Sequence, residues 1–133
     1  MLAITTKSPY AVKALAELAR RGSGAPVPIG EIAKAREIPV QFLEGLFAQL
    51  RRAGILQSQR GVKGGYTFAR PPAEVTVLEV VELLEGELGI DAAGAGPVFA
   101  EASEALKGVL GATTIREVAE REAQAAGASM YYI

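Results

Sequence analysis

The strongest constraint in this chain is a change of hydrophobic period at Gly54. Before it, apolar residues recur every three or four positions; after it come two short stretches flanking a knot of glycines. Ala11, Ala14, Leu15 and Leu18 stand at i, i+3, i+4 and i+7, which predicts a helix from about Thr6 to Arg21. Gly22-Ser23-Gly24-Ala25-Pro26 then breaks it. A short helix follows from about Ile29 to Ala35, burying Ile29, Ile32 and Ala33, with Glu31 favoured near its positive end. Leu43, Leu46, Phe47 and Leu50 repeat the stripe in a third helix, with Pro39 expected in its first turn and Gly54 as its left-handed cap. Only Arg36-Glu37-Ile38 separates the second helix from the third, the spacing of a helix-turn-helix.

Ile55 to Arg60 and Tyr66 to Arg70 then read as two strands joined by Gly61-Val62-Lys63-Gly64-Gly65. Three glycines in five residues permit positive φ and a tight tip. A hairpin directly behind a helix-turn-helix is a wing. Arg60 and Lys63 lie at its tip, where cations can reach a minor groove or phosphates. Gly61 and Gly64 would let backbone amides approach phosphate oxygens closely. An isolated hairpin of this kind would be read as solvated surface; behind this helix pair, contact with DNA is the stronger reading.

The second half is helical in pattern. Pro71-Pro72 stops the second strand. Thr76-Val77-Leu78-Glu79 matches a capping box and opens a fourth helix that buries Val77, Val80, Val81 and Leu84. Glu79, Glu82 and Glu85 recur every three residues, and a solvated helix face is expected there rather than a cation site. Gly86 to Gly96 is a glycine- and alanine-rich connection. In a fifth helix, Pro97 to Leu110, the residues Phe99, Ala102, Leu106 and Val109 have the spacing of a helix–helix seam. So short a chain has little core left to cover that seam, so a second subunit is expected to bury it, making a homodimer. Thr114-Ile115-Arg116-Glu117 repeats the capping box before a last helix reaching about Gln124, and Ala125 to Ile133 is either a frayed end or a packed arm. The expected fold is mainly α with a small β-hairpin wing: a winged helix-turn-helix over residues 1–75 and a helical dimerisation and regulatory region over 76–133.

Composition narrows function further. The 133 residues include neither cysteine nor histidine. That removes disulfides, thiolate zinc sites, cysteine-ligated iron–sulfur clusters, histidine-ligated haem, nucleophilic cysteine and imidazole acid–base catalysis. No calcium-type carboxylate loop occurs, and Ser103, Thr113 and Thr114 lie beside no evident base. The chain is therefore read as non-enzymatic, with no catalytic residue, metal ligand or cofactor assigned. No apolar run approaches the roughly 18 residues of a bilayer span, and Met1 to Tyr10 lacks signal-peptide features, so a cytoplasmic protein is expected. The net charge of −1 hides an asymmetry. Residues 1–75 hold eleven Lys and Arg against five Glu, a balance of +6; residues 76–133 hold three against nine Glu and one Asp, a balance of −7. A basic first half suits a polyanion.

Several stretches together resemble the Rrf-type, IscR-like winged-helix regulators of bacteria. They are Thr6-Lys7 with Tyr10-Ala11-Val12, Pro28-Ile29-Gly30-Glu31-Ile32-Ala33, Phe42-Leu43-Glu44, Leu46 to Leu56, and Arg60-Gly61 with Gly64-Gly65-Tyr66, covering about the first 85 residues in the family's order. The resemblance implies a dimer on an imperfectly palindromic operator, with the third helix in the major groove and the wing in the minor groove. It places Gln41, Phe42 and Glu44 toward base edges and Arg60 in the minor groove; Lys7, Tyr10, Arg51 and Lys63 are better placed for phosphates. Core packing is an equal alternative for Phe42, and a surface helix-forming role is the alternative for Glu44. Well-known members hold an iron–sulfur cluster through three cysteines after the fourth helix, where this chain reads Gly89-Ile90-Asp91-Ala92-Ala93-Gly94-Ala95-Gly96. Regulation would then pass through a small-molecule effector or a protein partner, or DNA binding would be constitutive. The competing function is a winged-helix module that regulates by binding a protein through its acidic second half.

Overall fold

The three N-terminal helices meet in a computed structural model, which describes residues 4–22, 24–86 and 96–130, with side chains through Gly127. Helix α1 is Lys7–Arg21, α2 is Ile29–Arg36 and α3 is Val40–Arg52. Strands β1, Leu56–Gln59, and β2, Gly65–Phe68, follow, then a single 3-10 turn at Pro72–Glu74. Helix α4 is Val77–Glu85, α5 is Pro97–Ala112 and α6 is Ile115–Met130. The mainly α fold with a two-stranded antiparallel wing is as expected.

The stripes bury as their spacing requires. Ala11, Ala14, Leu15 and Leu18 of α1 and Leu43, Leu46, Phe47 and Leu50 of α3 are all buried. Helix α3 ends in a Schellman cap: Gly54, at φ 80°, donates to the Arg51 carbonyl at 3.0 Å, and Ile55 donates to Leu50 at 3.0 Å. Helix α2 ends the same way without a glycine. Glu37 sits at φ 55°, its N–H reaching Lys34 at 3.4 Å, while Ile38 donates to Ala33 at 2.9 Å and is buried. A left-handed glutamate costs about 1–2 kcal/mol, which the burial of Ile38 helps to offset. Pro39 caps α3 from outside instead of filling its first turn, and its carbonyl accepts the Leu43 N–H at 3.0 Å. A proline there sacrifices no helical hydrogen bond. Ile29 is only partly buried, unlike Ile32 and Ala33.

The hairpin pairs Leu56 with Phe68, Gln57 with Thr67, Ser58 with Tyr66 and Gln59 with Gly65. Its other edge is strapped to the segment before α2, where Val27 donates to Tyr66 at 3.0 Å and accepts from it at 2.9 Å. The Tyr66 ring meets Phe47 of α3 edge to face at 5.0 Å. The wing is thus tied through Tyr66 both to the segment before α2 and to the middle of α3.

One apolar core runs through α1, α2, α3, β1 and on to Val75, Val77, Val80, Val81, Leu84 and Ile115. The starts of α4 and α6 are laced together: Val77 donates to Thr113 at 2.8 Å and Ile115 to Val75 at 2.9 Å. The hydroxyls of Thr76 and Thr114 cap these helices by accepting from Glu79 and Glu117, each at 3.1 Å. Neither capping box closes reciprocally, because the Glu79 carboxylate turns to Arg70 and Glu117 to Arg121. Helix α6 runs to Met130, well past the expected end near Gln124. Alanines at 123, 125, 126 and 128 supply helix propensity that outweighs the roughly 1 kcal/mol cost of Gly127. The connection at 87–95 lies outside the described residues, as do 131–133 of the tail.

Candidate nucleic-acid interface

Burying Leu43, Leu46, Phe47 and Leu50 turns the opposite side of α3 to solvent, and Gln41, Glu44 and Gly45 are exposed on it. Phe42 is different. It is partly buried and meets the Tyr10 ring edge to face at 5.7 Å, so it joins the start of α3 to the first turns of α1. Tyr10 is likewise partly buried.

Lys7 is exposed at the head of α1. The N-cap residue Thr6 makes no side-chain cap bond, and the Lys7 N–H donates instead to Thr5 Oγ1 at 3.2 Å. Glu85, the last residue of α4, braces that head from a distance: its carboxylate accepts from Thr5 N–H at 2.7 Å, Thr5 Oγ1 at 2.7 Å and Ser8 Oγ at 2.9 Å. Burial pushes the Glu85 carboxyl upward, but these hydrogen bonds outweigh it and hold the pKa below the ordinary carboxylate value. The expected solvated glutamate face of α4 therefore needs correction. Glu79 pairs with Arg70 and Glu85 braces the head of α1, because tertiary packing brings donors to both.

The wing carries Arg60, Gly61, Val62 and Lys63 on an exposed tip. Gly64 donates to the Gly61 carbonyl at 3.0 Å to close it. A Cβ on Gly64 would stand 2.3 Å from the Gln59 carbonyl oxygen, so the turn itself demands glycine there. Among the described residues seven ion pairs occur, and none uses a residue of α3 or of the wing. Among the described residues Arg60 and Lys63 have no carboxylate partner, whereas Arg21, Arg36 and Arg70 are each neutralised by glutamates. Arg51 makes one long hydrogen bond, 3.4 Å to Ser58 Oγ, bridging the last turn of α3 to β1. Sequence reasoning passed over Val62, the most exposed large apolar residue described, although its place between Gly61 and Lys63 in a tight tip was the available signal. The seam residues divide: Phe99 and Val109 are 56% and 65% exposed and Ala102 is exposed, while Leu106 packs partly against the core.

A helix-turn-helix with a strapped hairpin of this kind defines a winged-helix protein. Residues 4–121 match the Rrf2 family, described as "Iron-dependent Transcriptional regulator". The chain belongs to the Rrf2 family of transcriptional regulators, which are not enzymes. It is 38% identical over 95 residues to the HTH-type transcriptional regulator IscR of Cereibacter sphaeroides, covering 70% of this chain and 61% of that relative. The chain spans about six tenths of the length of the curated relatives it matches. Among solved structures it resembles T. potens IscR, with TM-score 0.81, 34% identity and coverage of 98% of this chain and 97% of the other. It also resembles CymR (YrzC), the global cysteine regulator of B. subtilis, with TM-score 0.83, 29% identity and coverage of 91% and 98%. The family description implies iron, but the donors do not fit a cysteine-ligated site: the chain has no cysteine or histidine. Among the described residues no three carboxylates gather where they could hold a metal ion, and no helix is long and apolar enough to cross a membrane.

Proposed function

We propose that the protein regulates transcription by binding double-stranded DNA as a homodimer on an imperfect palindrome, without an iron–sulfur cluster. The observation that carries this reading is the wing. Two cations that pair with no carboxylate among the described residues stand on a tip whose Gly64 is required by its own turn, and that tip is strapped through Tyr66 to Val27 and Phe47. Exposing unneutralised charge on a braced turn suits a polyanion.

Gln41 and Glu44 read base edges in the major groove, glutamine suiting adenine and glutamate suiting cytosine N4. Phe42 sets the start of α3 through Tyr10. Arg60 enters the minor groove, where its charge meets enhanced negative potential. Lys7, Tyr10, Arg51, Lys63 and the amides at Gly61 and Gly64 hold phosphates and so set register. Residues 1–75 form the DNA-binding unit and 76–133 the dimerisation and regulatory region, with Phe99, Ala102, Leu106 and Val109 at the subunit seam. The protein works in the bacterial cytoplasm, and an effector or protein partner takes the regulatory place that a cluster holds in other members. Two copies of α3 then enter successive major grooves, with half-sites about 10 base pairs apart, one helical turn.

The test is fluorescence anisotropy on a duplex enriched by the protein from a random library, and on its scrambled copy, across a salt series. Tighter binding to the enriched duplex, weakening steeply as salt rises, is the expected result. No binding to either duplex at low salt by folded protein would overturn the reading and leave a protein-interaction module as its successor.

A further inference from the structure

Arg36, the last residue of α2, spends all three guanidinium nitrogens on two other helices. Its Nη1 and Nη2 donate to Oε2 and Oε1 of Glu122 in α6 at 2.5 and 3.1 Å, and its Nε donates to Oε1 of Glu17 in α1 at 2.9 Å. The second Glu17 oxygen accepts from Arg21 Nε at 3.0 Å, and Arg21 Nη1 reaches Glu31 at 3.0 Å. The Arg36, Glu17 and Glu122 side chains are only 14%, 18% and 29% exposed. Other pairs on α6, Arg116 with Glu120 and Arg121 with Glu117, are exposed i, i+4 contacts of small energetic consequence.

The Arg36 fork is of another kind. It joins residues 86 positions apart, and among the described residues it is the sole hydrogen-bonded link between α2 and α6. A two-pronged guanidinium–carboxylate contact is directional, whereas apolar packing alone tolerates sliding. Burial would raise the Glu17 carboxyl, yet the hydrogen bonds from Arg36 and then Arg21 carry it below its ordinary value. The hydrogen bond to Glu122, above all, holds Arg36 further above its own, despite some loss of hydration. Only Glu37, Ile38 and Pro39 separate Arg36 from the start of α3, and Glu37 is locked in its left-handed turn. The direction of α3 therefore follows the placing of the end of α2.

We propose that Arg36 is a positioning residue for operator recognition, fixing the helix-turn-helix against α6 so that the two α3 helices of a dimer match one half-site spacing. The inference rests on the DNA-binding homodimer proposed above. Without the fork, each recognition unit still meets DNA but is held less firmly at the required separation. Affinity for the operator falls, affinity for random DNA does not, and tolerance of altered spacing widens.

The experiment uses the full chain as wild type, R36M, E122Q and R36M/E122Q, at a temperature where circular dichroism shows each folded. The duplexes are one enriched by the wild type from a random library, versions with two base pairs added or removed at its centre, and a random duplex. Each single variant should lose about tenfold in affinity for the enriched duplex, and the double variant no more than R36M, because both act through one contact. Random-duplex affinity should stay within about twofold, and the penalty for altered spacing should shrink. Unchanged operator affinity, or equal loss on enriched and random duplexes, overturns the proposal. Should R36M fail to fold, the isosteric E122Q decides on the same criteria. A wild type that enriches no sequence overturns the DNA-binding reading itself, a result distinct from an indifferent Arg36.

Discussion

Substituting Gly65 by alanine should detach the wing from the helix-turn-helix. A Cβ there would lie 2.3 Å from both the carbonyl carbon and oxygen of Val27 and 2.6 Å from the nitrogen of Pro28. These are backbone atoms and cannot swing aside as a side chain would. Relief to ordinary contact, 3.4 Å or more, needs a retreat of over 1 Å. That retreat breaks the two hydrogen bonds between Val27 and Tyr66, now 3.0 and 2.9 Å. Each is worth about 1 kcal/mol net, and alanine held at φ 153° adds strain of about 1–3 kcal/mol. The total is about 3–5 kcal/mol. For a chain of this length, at about 4 °C per kcal/mol, the melting temperature should fall by about 12–20 °C. The assay is thermal unfolding by circular dichroism at fixed protein concentration, with urea titration as a check, because dimerisation makes Tm concentration-dependent. Gly30→Ala is the control: a Cβ there meets nothing within 4 Å, so this substitution inside α2 should be neutral or stabilise by up to about 1 kcal/mol. A Gly65→Ala protein within 1 kcal/mol of wild type, on the scale of a single hydrogen bond, would refute the strap as an anchor.

Other substitutions separate the proposed roles. Arg60→Ala should cost about 1–3 kcal/mol on the enriched duplex and little on scrambled DNA, whereas Lys63→Ala should weaken both alike and flatten the salt slope; anisotropy reads both, and equal losses from Arg60→Ala would refute specific readout. Phe99→Glu, at a side chain 56% exposed in the single chain, should leave the fold intact and shift sedimentation toward monomer; an unchanged dimer would remove α5 from the seam. Acid should also destabilise the protein. Glu17 and Glu85 have folded pKa values below the ordinary 4.5. Their ionised forms therefore add stability above that pH, which is lost as pH falls from it through the lowered folded values. Glu17→Gln should lower Tm at pH 7 and lessen its fall on acidification, and an unaltered pH profile would sink that assignment.

Most of the helix-turn-helix and wing follows from neighbours in sequence. The stripes of α1 and α3 are set by contacts three and four residues apart, and the Gly54 cap and Gly61–Gly65 tip by local backbone freedom, so spacing and residue type suffice to place them. The end of α6 lies beyond the expected Gln124, because the alanines around Gly127 outweigh its local cost. Only the folded chain decides the rest. Glu85 braces the head of α1 across 80 residues, Arg36 forks onto Glu122 across 86, and Gly65 is obligatory because the Val27 backbone crosses it. Likewise the α5 stripe carries no mark of which residues face inward; packing sends Leu106 to the core and leaves Phe99 and Val109 outside. Local periodicity determines which elements form and which face they bury. The distant polar partners depend on the angles at which those elements pack, and no spacing along the chain records an angle.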